Sequence, residues 1–297
     1  MSPVFLFGAG ASYGSDTAST PPLGADLFNA LVRFNSDGWG ALPSSYQSSF
    51  NADFEQAMRS LPPHTIAPLQ RAMAAFFFQF AHTHTNLYFN IAKRVKEKSW
   101  KGAFCTLNYE RLLELSLLAA GVQPYVGDQP STPHAVELCL PHGCCHLFCD
   151  SAFGEAGAVS FDAFNVCTDG PVSVITDAQN HRRRISSDAF PPVMSYFEPE
   201  KRTTAGASFI NGQRTRWEKL ALTSSKIIIV GVRVREHDNH IWGPIAASNS
   251  PVVYCGGPGD IEEFRNWSLA RRAGSPSLVF DSYFRGAFER LCEEASL

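Results

Sequence analysis

Residues 1–14 read MSPVFLFGAGASYG, and this stretch decides the fold. The apolar run Val4–Phe7 has the composition of a central strand that is buried on both faces of a sheet. The sequence GAGAS follows at residues 8–12, so the backbone must turn sharply where the strand ends. We therefore predict an open parallel sheet whose first strand leads through a glycine-rich turn into a helix.

The glycine-rich turn suits an anionic ligand, because small residues let main-chain N–H groups approach a pyrophosphate and the following helix points its positive end there. The turn departs from an ordinary dehydrogenase fingerprint: Tyr13 stands where G-x-G-x-x-G needs its third glycine, and Gly14 comes one place late. The acidic residue expected after a second strand is also missing, since Asp26 comes too early. Taken alone, the stretch also fits a tight turn that binds nothing.

The composition is that of a globular chain, with 44% hydrophobic and 18% charged residues and a formal charge of −3 over 297 residues. This balance argues against nucleic acid as a partner, and the basic run Arg182–Arg184 fits a solvated loop. No signal peptide is predicted, and no run of about 18 apolar residues predicts a membrane partner. Eight cysteines without a secretion signal indicate free thiols, so we expect a cytoplasmic protein.

Strand and helix patterns alternate along the chain, which is typical of a parallel sheet covered by helices. Strands are predicted at 103–107, 138–140, 226–231 and 252–255, with weaker strand patterns at 159–161 and 172–175. Helices are predicted at 111–120, 217–222, 261–272 and 283–294. We therefore predict a Rossmann-like, doubly wound parallel α/β fold, with residues 1–297 forming a single domain.

A helical insertion is predicted between the first two strands, over about residues 36–100. Within it, residues 35–49 fit a loop, residues 53–58 begin a helix and residues 66–98 carry a helical pattern. The aromatic stripe of that pattern (Phe76–Phe78, Phe80, Tyr88 and Phe89) fits a core or a subunit contact. A second insert, over about residues 150–202, is predicted to be irregular.

Polar residues follow the ends of two further predicted strands, in TLNY at residues 106–109 and in Pro141-His142-Gly143. The carboxyl ends of parallel strands share one edge of the sheet, so these residues should face the same crevice as the glycine turn. Each also has a plain structural interpretation. Asn108 fits the N-cap of the next helix, and His142 fits a histidine of the core or the surface.

Together with Val230-Gly231 and the glycine-rich stretch at 256–259, these motifs resemble the sirtuin-like family. They resemble most the bacterial branch of sirtuin-like NAD-consuming proteins that act in anti-phage defence. The resemblance runs over most of the chain, although only the short motifs carry it. It implies an NAD+ glycohydrolase that releases nicotinamide and ADP-ribose as the toxic effector of abortive infection. A sensor protein in trans, or assembly into a homo-oligomer, would hold that activity off until a trigger arrives.

The resemblance also implies residue roles. Asn108 would orient the nicotinamide ribose and the attacking water, and His142 would act as the general base. The implied dinucleotide-binding residues are Gly8, Ala9, Gly10, Ala11, Ser12, Tyr109, Gly143, Gly231, Asp238, Gly256 and Gly257. Residues 8–12 would cradle the diphosphate, and the glycines at 231, 256 and 257 would border the adenosine half. Asp238 would fix the wall beside that half, or serve the structure alone.

The residue types suit this chemistry. Nicotinamide leaves NAD+ without acid assistance because its ring nitrogen is cationic, and the ribose carbon develops positive charge as in glycoside cleavage. The site therefore needs a proton acceptor near neutral pH, which an imidazole provides. It also needs a neutral positioning group, which an amide with donors and an acceptor provides.

Two other functions stay open: a module that binds NAD+ or ADP-ribose without cleaving it, and a protein deacylase or ADP-ribosyltransferase. Deacylases of the family carry a structural zinc module with two C-x-x-C pairs, and this sequence has no C-x-x-C. Cys144, Cys145, His146 and Cys149 do cluster, but we predict unligated thiols there and no metal site. The missing module disfavours an acyl-lysine substrate.

Overall fold

The computed structural model describes residues 2–127, 132–150, 159–162, 165–196, 201–235 and 237–297. The strands in these ranges are β1 (Val4–Phe7), β2 (Ala103–Thr106), β3 (Gln123–Tyr125), β4 (Ala135–Cys139), β5 (Leu147–Cys149), β6 (Val159–Asp162), β7 (Asn165–Thr168), β8 (Val172–Val174), β9 (Ile227–Val230), β10 (Val252–Gly256) and β11 (Ser277–Asp281). The helices are α1 (Ala9–Gly14), α2 (Gly24–Phe34), α3 (Ser44–Ala52), α4 (Phe54–Arg59), α5 (Pro63–Phe78), α6 (Leu87–Glu97), α7 (Leu112–Ala119), α8 (Ala178–Ser187), α9 (Ala207–Thr223), α10 (Asn239–Ala247), α11 (Pro258–Arg271) and α12 (Phe284–Glu294).

Seven strands form one sheet in the order β11-β10-β9-β1-β2-β4-β3, and every neighbouring pair is parallel. The predicted Rossmann-like, doubly wound α/β fold is therefore confirmed. From β1 the chain passes to β2 on one side and later returns to β9 on the other side. The strand order thus reverses between β1 and β9, and a ligand crevice is expected at the carboxyl ends of such a pair.

The side chains of β1 alternate between two hydrophobic layers, which explains its continuous apolar run. Phe5 and Phe7 pack in one buried cluster with residues of α2, α5, α6, α7 and α12. Val4 and Leu6 pack in a second cluster with residues of α9, α10 and α11. All four β1 side chains are at most 1% exposed, so the strand is a fixed centre from which the following turn projects.

Helices α2 to α6 form the predicted insertion between β1 and β2. The predicted loop at 35–49 is wrong in part, because a 3-10 helix occupies Trp39–Ala41 and α3 begins at Ser44. The ring of Phe50 in α3 stacks on Phe28 at 5.0 Å and meets Trp39 at 5.3 Å. Burial of these rings overrides the Gly-, Ser- and Pro-rich local composition. Phe76, Phe77 and Tyr88 are buried in the same cluster, as the core interpretation of the aromatic stripe predicts.

The insert predicted to be irregular over residues 150–202 is partly regular, and the two strand patterns predicted within it, at 159–161 and 172–175, correspond to β6 and β8. β5 pairs with β8 and β6 pairs with β7, both antiparallel, and α8 starts at a cap made by the Asp177 side chain. Arg182–Arg184 lie in α8 and not in a loop, and Arg184 binds Asp150 at 2.9 Å. The residues at 151–158, 163–164 and 197–200 of this insert lie outside the described residues.

The outer strands β3 and β11 were not predicted from the sequence. Both are edge strands with partly exposed side chains, so they lack the continuous apolar run that marks the central strands. Within the described ranges, no helix is both long and apolar enough to cross a membrane.

Candidate active site

A cavity of about 650 Å³ opens at the carboxyl ends of β1, β2 and β9, where the strand order reverses. Its size falls within the usual range for a ligand site in a protein. The glycine turn after β1, Asn108 after β2, His142 after β4 and Gly231 after β9 all line it. The topology therefore brings together the polar strand ends that the sequence places far apart.

The turns after β1 and β9 are in direct contact. The Gly8 N–H donates to the Val230 carbonyl at 3.0 Å, and the Gly10 N–H donates to the Gly231 carbonyl at 3.1 Å. A Cβ on Gly8 would lie 2.5 Å from the Gly231 oxygen, and a Cβ on Gly231 would lie 2.2 Å from the Ala11 nitrogen. Gly231 also has a φ of +63°, which favours glycine. The glycines are thus required for the two turns to close the floor of the cavity.

These contacts change what the turn can offer a ligand. The amides of Gly8, Gly10 and Ala11 donate to carbonyls of the protein itself. The helix that follows, α1, has only six residues. We therefore assign the turn a steric role, because it lets a ligand lie against bare backbone.

Asn108 is held in one orientation by two hydrogen bonds. Its Nδ2 donates to the Gly8 carbonyl at 3.0 Å and to Ser12 Oγ at 2.7 Å. Because a carbonyl can only accept, the Nδ2 side of the amide must face Gly8. Both amide protons are then used, and the Oδ1 atom is the part of the side chain left for a ligand or a water.

The N-cap interpretation of Asn108 is wrong. Helix α7 begins at Leu112, and its N-cap is Arg111, with no side-chain capping bond. The carboxylate of Glu110 instead accepts a hydrogen bond from the Leu112 amide. Asn108 thus lies ahead of the helix with its side chain turned to the β1 turn and the cavity.

Ser12 is the centre of a buried polar network behind Asn108. Its hydroxyl donates to Glu110 Oε1 at 2.5 Å and lies 3.0 Å from the Tyr88 hydroxyl. Burial raises the pKa of Glu110, although hydrogen bonds from Ser12, the Leu112 amide and Asn108 oppose the rise. With its proton directed to Glu110, Ser12 Oγ keeps its lone pairs for Asn108 and Tyr88. The network therefore fixes the rotamer and orientation of Asn108.

His142 is buried at the cavity wall, with 5% of its surface exposed. Its Nε2 lies 2.9 Å from Nε2 of His240, on the first turn of α10. Burial lowers the pKa of His142 well below its usual value, and the positive charges of Lys201 and Arg214 lower it further. The imidazole is therefore neutral near pH 7, the form that can accept a proton.

Asp238 lies beside the imidazoles of His142 and His240, with their ligand atoms all within 4.8 Å of one another. Burial raises the pKa of Asp238, and the charge of Lys201 opposes the rise. Lys201 pairs with Glu55 at 2.8 Å, and both residues line the cavity. Burial raises the pKa of Glu55, but the charge and hydrogen bond of Lys201, together with the charges of Arg235 and His237, outweigh burial and lower the pKa.

The structure brings most of the predicted site residues to the cavity, but not all. Those that line it are Gly8, Ala9, Gly10, Ser12, Asn108, Tyr109, His142, Gly231 and Asp238. Ala11, Gly143, Gly256 and Gly257 are not among the lining residues. Gly143 has a φ of +75°, and a Cβ there would lie 2.0 Å from the Val193 oxygen, so its role is to shape the turn after His142. Gly257 is the N-cap of α11.

Several residues of the site were not predicted from the sequence. Glu110 directly follows the TLNY motif and His240 follows Asp238 by two residues, so proximity to a motif was an available signal for both. Lys201 and Glu55 come from distant segments without a motif, and only the folded chain brings them together.

His146 connects the segment after His142 to helix α7. Its Nδ1 lies 3.1 Å from Cys144 Sγ, and its Nε2 lies 2.9 Å from Glu114 Oε2. Burial lowers the pKa of His146, but the Cys144 sulfur and the Glu114 carboxylate outweigh burial and raise it to about 10. Burial raises the pKa of Cys144 well above its usual value.

This ion pair predicts a pH-dependent contribution to stability. Because the pKa of His146 is raised on folding, the contribution is complete below about pH 6.5 and disappears as the pH rises through about 10. Replacing Glu114 with glutamine should lower the free energy of unfolding by about 3 kcal/mol at pH 6, a typical cost of breaking a buried pair. Urea unfolding at pH 6 and pH 10 measures this. The deficit should shrink at pH 10, and Glu218→Gln, on the exposed face of α9, should show none at either pH.

Two groups among the described residues have the side chains and spacing to hold a metal ion: Cys144 with Cys145 and His146, and His142 with Asp238 and His240. In the first group, Cys144 and His146 already satisfy each other, and Cys144 Sγ also donates to the Tyr109 carbonyl. In the second group, one carboxylate oxygen of Asp238 is buried without a hydrogen-bond partner. The second group therefore fits a cation better than the first.

No protein-family model matches this chain, and no curated protein matches it significantly. Solved sirtuin structures are similar to this chain at low identity. A Sir2 bound to an acetylated peptide is 14% identical, with 99% of this chain and 93% of that chain covered and a TM-score of 0.47. A complex of Sir2 with a p53 peptide and NAD+ is 14% identical at the same coverage, with a TM-score of 0.44. At this distance, function has to be argued from the cavity itself.

Proposed function

We propose that this protein is an NAD+ glycohydrolase, which hydrolyses NAD+ to nicotinamide and ADP-ribose. One observation carries the proposal: an oriented amide, Asn108, and a neutral imidazole, His142, line the same cavity as the glycine turns of β1 and β9. Cleavage of the nicotinamide–ribose bond needs a positioning group and a proton acceptor, and it needs no general acid. The amide and the imidazole provide these two groups.

The proposed reaction assigns one role to each side chain. Oδ1 of Asn108 accepts a hydrogen bond from the attacking water and holds it towards the ribose. The water oxygen bonds to the ribose carbon as the carbon–nitrogen bond breaks, and that electron pair leaves with nicotinamide, which becomes neutral. His142 takes the proton that the water loses. The buried network of Ser12, Glu110 and Tyr88 keeps Asn108 in place throughout.

The cavity also supports the choice of a dinucleotide. Its volume of about 650 Å³ suits a ligand of that size, and Gly8, Gly10 and Gly231 offer bare backbone where a diphosphate would lie. Arg235 lines the same cavity and supplies positive charge, and Arg233 lies there paired with Asp260 at 2.8 Å. We assign the diphosphate to this region, against the turns of β1 and β9.

The biological setting that we propose is abortive defence against phage, in which NAD+ depletion stops the infected cell. The support for this setting is the motif resemblance alone. An unrestrained NAD+ glycohydrolase would harm its own cell, so a sensor protein or homo-oligomeric assembly is proposed to control it. The exposed surface of α8, with Arg182 and Arg183, is a proposed contact for such a partner.

The test is to incubate the purified chain with NAD+ and to quantify nicotinamide and ADP-ribose. Because control by a partner or by assembly is proposed, we expect both products in equal amounts at a low basal rate, without an added peptide. NAD+ consumption that requires an acetyl-lysine peptide would identify a deacylase, and NAD+ binding by calorimetry without cleavage would identify a sensor module. Either result would contradict the glycohydrolase proposal.

A further inference from the structure

The two imidazoles at the cavity wall face each other through the same type of atom. Nε2 of His142 and Nε2 of His240 are 2.9 Å apart, and a carboxylate oxygen of Asp238 lies within 4.8 Å of a ring nitrogen of each histidine. His142 comes from the turn after β4, whereas Asp238 and His240 come from the start of α10. Two histidine nitrogens and one carboxylate are a common ligand set for a divalent metal with an open position.

The carboxylate of Asp238 provides an independent reason to expect a cation. Asp238 is only 9% exposed, and its Oδ1 is buried without a hydrogen-bond partner. It occupies the N-cap position of α10, yet its side chain makes no capping bond. An unpartnered buried carboxylate oxygen is costly, because it loses its hydration without a replacement. A cation between Asp238 and the two imidazoles would remove that cost.

Lys201, a positive charge beside the cluster, has a counter-charge of its own. Lys201 is paired with Glu55 at 2.8 Å, which largely balances its positive charge.

We propose that His142, His240 and Asp238 form a Zn²⁺ site whose fourth position opens into the cavity. Zn–N bonds of about 2.0–2.1 Å at a tetrahedral angle separate two nitrogens by roughly 3.3 Å, so the rings need to part by only a few tenths of an ångström. His142 and Asp238 line the cavity, so the open position faces the bound substrate.

This site would regulate the activity, and that part of the inference rests on the proposed function. Zinc takes the lone pair on His142 that would otherwise accept the proton from water. The zinc-loaded protein is then the resting form, and removal of zinc exposes the base. Zinc binding itself does not depend on the chain being a glycohydrolase.

The binding test is titration of the chelator-treated full chain with Zn²⁺ in a calorimeter. We expect one zinc per chain. Loss of a group that merely supports a metal ligand typically weakens metal binding by roughly 10–100-fold, and His240→Ala, which removes a ligand itself, should weaken zinc binding at least as much. His237→Ala is the matched control: His237 lies three residues before His240, just ahead of α10, and its Nε2 contacts Glu55 at 3.0 Å. It should bind zinc as the unchanged chain does. Absence of zinc binding, or equal binding by the His240 variant, would overturn the site.

Cobalt distinguishes this site from the neighbouring cysteines. Co²⁺ bound by two imidazoles and a carboxylate lacks the intense near-ultraviolet absorption that thiolate ligands give. If this absorption appears, disappears in Cys145→Ser and persists in His240→Ala, the metal lies at the cysteine cluster and the proposal is overturned. In the NAD+ assay, stoichiometric zinc should stop nicotinamide release and a chelator should restore it. Unchanged release by the zinc-loaded protein would overturn the regulatory role, whatever the binding result.

Discussion

Replacing His142 with alanine is expected to lower the rate of nicotinamide release about 10²–10⁴-fold, the usual contribution of a general base. The loss should appear in kcat and leave NAD+ binding largely intact, because the imidazole acts on the water and not on the diphosphate. The measurement is the initial rate of nicotinamide release. A chelator is present so that bound zinc does not inhibit the unchanged chain and hide the difference in rate. Calorimetry then compares the NAD+ affinity of the variant with that of the unchanged chain.

His64→Ala is a suitable control, since His64 is exposed in the first turn of α5 and does not line the cavity. It should keep the full rate. Thermal unfolding of both variants checks that the core is unchanged. A His142→Ala protein that folds normally and cleaves NAD+ at the unchanged rate would exclude His142 as the base.

Replacing Asn108 with alanine is expected to have the second largest effect. The alanine removes the group that positions the water, and a misplacement of about 1 Å in a reacting group can cost about 10²-fold in rate. It also leaves the Gly8 carbonyl and Ser12 Oγ without the donor that now reaches both. We therefore expect a loss of about 10²-fold in kcat, measured by the same nicotinamide assay, with some loss of thermal stability.

Asn29→Ala is the control: it makes the same change of side chain at an exposed position on α2, away from the cavity. It should leave both rate and stability unchanged. The Asn108 interpretation would be untenable if its alanine variant released nicotinamide as fast as the unchanged chain. A Ser12→Ala variant keeps the Asn108 amide but removes a group that holds it. Its rate of nicotinamide release should lie between that of Asn108→Ala and that of the unchanged chain.

The central part of the fold could be predicted because it depends on short-range signals. Val4–Phe7 and Ile227–Ile229 are continuous apolar runs, and such runs occur in strands covered on both faces. The edge strands β3 and β11 lack that signal, since one side of each is open to solvent. The Ser-rich composition predicts a loop over the first part of α3, because it conceals Phe50, which stacks on Phe28 and meets the edge of Trp39 and so holds the helix in place.

Asn108, His142 and the glycine turn were predicted because each follows a recognisable strand. Their proximity then followed from a rule of parallel sheets, and all of them line one cavity. The orientation of Asn108, the free Oδ1 and the carboxylate behind Ser12 could not be predicted. They depend on hydrogen bonds between residues about 100 positions apart in the chain, as between Asn108 and Gly8.

By itself, the sequence determined the sheet, its central strand and the identity of the two side chains proposed for chemistry. These follow from hydrophobic pattern and from residues next to each other in the chain. Only the tertiary structure decided that Gly231 closes the turn of β1, that Lys201 pairs with Glu55 and that His240 meets His142. The hydrophobic pattern of a segment indicates which of its faces is buried. Which atom a side chain then contacts depends on how elements that are distant in the chain pack together.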